Sequence, residues 1–140
     1  MGDRLKERWL WFREQDRAAR GGGTARRRRC SSPSRGQKVL AADLNLDAAL
    51  ETKRIIDSAG SICMAVAGNV SRADDVAEIV DACIAAFGRI DVLHNNVGIV
   101  EVGGPVETSE ESRDRVNDVN LKSMFLTCKQ VLQNMQRQGN

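Results

Sequence analysis

The chain has 140 residues, 41% of them hydrophobic, and a formal net charge of +2; this suffices for one compact domain with a hydrophobic core and is short for two. Its longest apolar runs fall far below a bilayer span, and the N-terminus lacks the basic-then-apolar layout of a secretory leader, so a cytoplasmic setting without a membrane partner is expected. Cys30, Cys63, Cys83 and Cys128 are widely spaced and form no CxxC pair, which argues against a zinc cluster or redox dithiol; no metal site is expected.

The small net charge conceals a division. Up to Lys38 there are 12 Lys or Arg against 4 Asp or Glu; from Val39 onward there are 9 against 15. The first stretch holds Trp9, Trp11 and Phe12, the run GGGTARRRRCSSPSRG and no regular apolar spacing. Residues 1–37 are therefore expected to be a basic, disordered segment, and residues 38–140 the folded part.

VLAADL, residues 39–44, is a short apolar run ending in an acid, the pattern of a strand buried on both faces. A helix follows, capped by Asn45 or Asp47, with Leu46, Ala49, Leu50 and Ile56 as its apolar stripe and Gly60 beyond its end. ICMAVA, 62–67, is a second strand. Ser71 and Asp74 make a capping pair for a helix whose stripe runs Val76, Ile79, Val80, Cys83, Ile84 and Phe87, with Gly88 as its stop. IDVLHN, 90–95, is a third strand, in which His94 reads as a packed strand residue. Beyond a glycine-containing loop, Thr108 and Glu111 form another capping pair. A final helical pattern carries Val116, Val119, Leu121, Phe125, Cys128, Leu132 and Met135.

Alternating strands and helices with short links predict an α/β fold, a partial doubly wound (Rossmann-like) parallel sheet with flanking helices behind a disordered basic N-terminus. In such a sheet ligands bind beyond the carboxyl ends of the strands. Three adjacent strand tips then gather Asp43, Asn69 and Asn95 around one crevice. Asp43 can accept both hydroxyls of an adenosine ribose and would repel a 2′-phosphate, favouring NAD over NADP; an Asp serving only the next helix N-terminus accounts for the same letter. Asn69 and Val70 can meet the edge of an adenine ring, or form a plain loop. In NNVG, Asn95, Asn96 and Gly98 place two amides and a bare backbone at the crevice, although Asn and Gly also make ordinary turns. Asn120, inside the apolar helical stretch VNLKS, marks either a helix distortion or a hydrogen-bonded core amide.

Taken together, QKVLAADLNLDAA, the helix from SRADDV to AFG, RIDVLHNNVGI and VNDVNLKSMFLTCK resemble the short-chain dehydrogenase/reductase family from about Gln37 to Asn140. The resemblance implies an oxidoreductase moving a hydride between a nicotinamide cofactor and an alcohol or carbonyl of a small-molecule substrate. It makes Asp43 the ribose-binding acid and Asn69 with Val70 the adenine-side pair, although Asp is more usual at 69. NNVG resembles the family's Asn-Asn-Ala-Gly motif, and Asn120 matches the Asn of the catalytic tetrad. A homo-oligomer is a further implied possibility.

Three departures from the family pattern stand out. Nothing before Lys38 fits a glycine-rich phosphate turn; Arg113 stands where family members commonly carry Trp; and no Tyr-x-x-x-Lys is present, the chain having no tyrosine at all. The expectation is an incomplete, inactive member. Its alternative is a non-catalytic chain that binds a full-length family subunit through helix 121–135. For the N-terminal segment a shifted reading frame is one account: codons for WLWFREQDR exist that, read one base earlier, give Val-Ala-Leu-Val-Pro-Gly-Ala-Gly-Ser. Clustered arginine otherwise suits a solvated tail or a nucleic-acid arm, and nucleic acid is not the expected partner.

Overall fold

The computed structural model describes residues 37–139 in full and residues 8–13 as backbone. Strands β1 (Arg8–Arg13), β2 (Lys38–Asp43), β3 (Ile62–Ala67) and β4 (Val92–Asn96) form one parallel sheet in the order β3-β2-β1-β4. Helices α1 (Leu46–Ser58), α2 (Ala73–Phe87), α3 (Glu110–Asn117) and α4 (Ser123–Arg137) flank it, with a π turn, Asp118–Lys122, joining the last two.

Strand alternation divides β2 between two cores. Val39 and Ala41 pack with Ile56 of α1 and Cys63. Leu40 and Ala42 face the other way, into a larger cluster with Val70, Val76, Ile79, Val80, Cys83, Ile90 and Val131, contributed mainly by α2 and α4. Helices therefore cover both faces, as the α/β reading requires, and that reading holds.

One strand lies inside the segment expected to be disordered. Arg8–Arg13 pairs in parallel with β2 on one side and β4 on the other, so β4 is not adjacent to β2 as the sequence suggested. The run RWLWFR is rich in residues that favour extended chain. Two flanking strands offer it a complete ladder, a long-range pairing that local spacing does not encode. Residues 1–7 and 14–36, including Cys30 and the arginine run, lie outside the described residues, as does Asn140.

Capping signals hold at both ends of α1 and at the end of α2, and differ at the starts of α2 and α3. Asn45 caps α1, its Oδ1 accepting from Asp47 N–H at 2.9 Å, and Gly60 follows with φ 85°. Gly88, at φ 81°, ends α2 in the left-handed conformation glycine tolerates. At the start of α2 the N-cap is Arg72, without a side-chain cap, in place of the expected Ser71–Asp74 pair. α3 is capped by Ser109, which accepts from Ser112 N–H at 3.1 Å, in place of Thr108.

The largest departure concerns the final helix. Val116, Val119, Leu121, Phe125, Cys128, Leu132 and Met135 were expected on one helical stretch, but in a regular helix Val116 and Val119 lie roughly opposite Leu121, Phe125 and Leu132, so two apolar faces compete for the core. Ser123, Thr127 and Val131, spaced four residues apart, form the buried face of α4, while Leu121, Phe125 and Leu132 are 68%, 64% and 53% exposed.

Candidate functional site

The carboxyl ends of the four parallel strands are level. Phe12 is in register with Ala42 and Asn95, Arg13 with Asn96, and Asp43 with Ala67. Asp43, Asn69 and Asn95 thus share one end of the sheet, the end where open α/β sheets bind ligands.

Each candidate side chain has a defined local role there. Asp43 is buried, and its Oδ1 accepts from Asn45 N–H at 2.8 Å, tightening the turn from β2 into α1. Asn69 lies just past β3; its Oδ1 accepts from Ser71 N–H at 3.0 Å and from the Ser71 hydroxyl at 2.6 Å. Its own N–H donates to Asp75 Oδ2 at 2.9 Å, and the Asp75 carboxylate also pairs with Arg72. The loop is therefore tied to the first turn of α2, and Val70 within it is buried in the larger core.

Asn95 points into the helix layer. Its Oδ1 lies 2.9 Å from the Thr127 hydroxyl, and its Nδ2 donates to Cys128 Sγ at 3.7 Å. Thr127 also approaches Ser123 O at 3.0 Å and Met124 O at 3.1 Å; with one hydrogen, the hydroxyl donates to one of the three at a time. Asn96 and Gly98, by contrast, are exposed at the strand end. A Cβ added to Gly98 would stand 3.6 Å from Asn120 Oδ1, which puts the loop after β4 against the π turn.

Asn120 sits inside that turn, so the helix distortion read from VNLKS is present. Its side chain makes a reciprocal pair with one residue: Oδ1 accepts from Ile99 N–H at 2.8 Å, and Nδ2 donates to Ile99 O at 2.9 Å. Ile99 is buried, and its backbone groups are thereby satisfied by a single amide. Sequence reasoning singled out Asn95 and Asn120 but missed their partners, Thr127 and Ile99. Thr127 left a signal in the sequence, a lone hydroxyl within SMFLTCK; Ile99 left none, because its backbone does the work.

Two cysteines are chemically quiet. Burial pushes the Cys63 thiol up to about 11 and the Cys83 thiol up to about 12. Among the described residues, no group of three or more His, Cys, Asp or Glu could hold a metal ion, and no helix is long and apolar enough to cross a membrane.

This arrangement has close counterparts. Residues 18–140 match the family model described as short chain dehydrogenase. An oxidoreductase of Thermotoga maritima, itself uncharacterised, is 36% identical over 119 residues, covering 85% of this chain and 47% of that protein. Tropinone reductase-like 1 of Erythroxylum coca is 38% identical over 112 residues, covering 74% of this chain and 39% of that protein. Among solved structures, a short-chain dehydrogenase/reductase from Burkholderia xenovorans superposes with a TM-score of 0.75 at 27% identity, over 96% of this chain and 51% of that one. Levodione reductase gives the same TM-score at 21% identity and speaks for the fold alone. The chain belongs to the short-chain dehydrogenase family. It spans less than half the length of the curated relatives it matches.

Proposed function

We propose that this chain is the cofactor-side part of an NAD-dependent short-chain oxidoreductase, and that alone it binds cofactor weakly and does not turn over. The observation that carries the reading is the carboxylate of Asp43 at the tip of β2, level with the ends of the neighbouring strands. A bound nicotinamide cofactor would supply the hydride donor or acceptor. The residues here fit its adenosine half: Asp43 to accept from the ribose hydroxyls, Asn69 and Val70 to border the adenine, and the exposed Asn96 and Gly98 to flank the sugar nearer the nicotinamide. Asn95 and Asn120, with their amides engaged by α4 and Ile99, act as positioning residues that hold β4 and its loop.

Turnover needs an acid/base at the reacting oxygen. The family's tyrosine is absent from this sequence, which has none, and so is a match to the lysine that lowers its pKa. The letters before Lys38 spell no complete Thr-Gly-x-x-x-Gly-x-Gly turn, although the family match begins at residue 18; translation out of register upstream is our account, and the transcript sequence tests it. Calorimetric titration of the purified chain is expected to show millimolar NAD binding, weaker NADP binding and no detectable reduction with simple alcohols. Replacing Asp43 with Ala should abolish the preference for NAD. A measurable NAD-dependent rate from the parent chain would overturn the inactive reading, and equal NAD and NADP affinities would overturn the role of Asp43.

A second reading rests on the outward side of α4. Met124, Phe125 and Leu132 of α4, with Leu121 of the π turn before it, are exposed, which suits a chain that docks on a full-length family subunit. Co-purification with such a subunit, lost on replacing Phe125 with Glu, would favour it.

A further inference from the structure

The open side of β3 carries a feature the candidate site does not use. In the ladder to β2, Ile62 N–H donates to Gln37 O at 2.9 Å and Gly68 N–H donates to Asp43 O at 3.0 Å. Strand alternation therefore turns the peptide groups of Cys63, Ala65 and Ala67 the other way, toward the sheet edge. A row of outward N–H and C=O groups is a template for another strand. The risk is raised by the sequence ICMAVA, which is apolar, uncharged and free of proline, with Ile62 60% exposed.

At Cys63 this row is already covered. Lys53 Nζ donates to Cys63 O at 2.7 Å, Asp57 Oδ1 accepts from Cys63 N–H at 2.9 Å, and Lys53 and Asp57 pair with each other at 2.6 Å. Two side chains one helical turn apart on α1 thus saturate both groups of one edge residue. The two side chains are 38% and 41% exposed, so the ring sits at the solvent rim, where an ion pair adds little stability by itself. Its position matters more than its strength. With Cys63 occupied, only Ala65 and Ala67 present outward groups, too few for a lasting ladder.

We propose that Lys53 and Asp57 cap the β3 edge of the sheet and block strand addition there by a second copy of this chain. The test compares the full chain with Lys53→Ala/Asp57→Ala by sedimentation over a concentration series, with helical circular dichroism as the folding control. The double variant is expected to self-associate at about ten-fold lower concentration than the parent. Adding Ala65→Pro, which removes an outward N–H and no bond to β2, should restore the parent profile. Identical association of parent and double variant would overturn the proposal, as would association that Ala65→Pro leaves unchanged. Should the double variant lose its helix signal, amide exchange of the parent decides: Cys63 N–H is expected to exchange at least about ten-fold more slowly than Ala65 N–H, as one charge-assisted bond implies. Equal rates would overturn the cap.

Discussion

Gly68 shows how a single missing side chain allows two layers to meet. A Cβ at this position would stand 2.6 Å from Ile79 Cδ1 and 3.2 Å from its Cγ1, and Ile79 is buried in the larger core. Gly68→Ala is therefore expected to cost about 1–3 kcal/mol through overpacking, read as a lower urea midpoint with an unchanged slope. The buried thiols give a second expectation. With Cys63 at about 11 and Cys83 at about 12, little thiolate exists near neutral pH, so both should resist alkylation until denaturant is added. Asp57 gives a third. Its hydrogen bond to Lys53 holds its carboxyl below the ordinary value of 3.8, with the Cys63 N–H bond helping and desolvation opposing. A depressed carboxyl contributes stability above its unfolded pKa and loses it as pH falls through the folded one. Cys63 N–H protection should accordingly be constant above the unfolded carboxyl's pKa and fall only as pH drops through the lower folded one, as exchange measured across that range would show.

Between the elements, two side-chain amides fasten α4 and the turn before it to the chain around β4. Asn120 holds Ile99 after the strand; Gln138, just beyond α4, holds Ile90 before it, accepting from Ile90 N–H at 3.0 Å and donating to Ile90 O at 2.8 Å. Replacing Asn120 with Leu leaves both backbone groups of buried Ile99 without these bonds, and a loss of about 1–3 kcal/mol in unfolding free energy is expected from thermal or urea denaturation. Periodicity left this point open because it offered two faces. In a regular helix Val116 shares its side with Ser123 and Thr127, while Leu121, Phe125 and Leu132 share another, and the core holds Thr127 and leaves Phe125 out. Asn120 itself was the warning, an amide in an apolar stretch.

Across the molecule, β2 has strands on both sides and helices on both faces. Its amides are expected to exchange slowly, and those on the open side of β3 at Ala65 and Ala67 much faster, by mass-resolved hydrogen exchange. The exposed face of α4 raises the same question of partners for the whole chain as the β3 edge does, and the two are separable: Phe125→Glu should alter docking of a subunit without changing Cys63 exchange. The strands β2, β3 and β4, the helix order, the parallel sheet and the positions of Asp43, Asn69 and Asn95 at the strand tips could be read from the letters, because short apolar runs, capping residues and glycines act locally. Which strand lies beside which, that Arg8–Arg13 enters between β2 and β4, and which side of α4 is buried depend on long-range pairing and packing. Those are settled only when distant segments compete for the same hydrogen bonds and the same apolar volume.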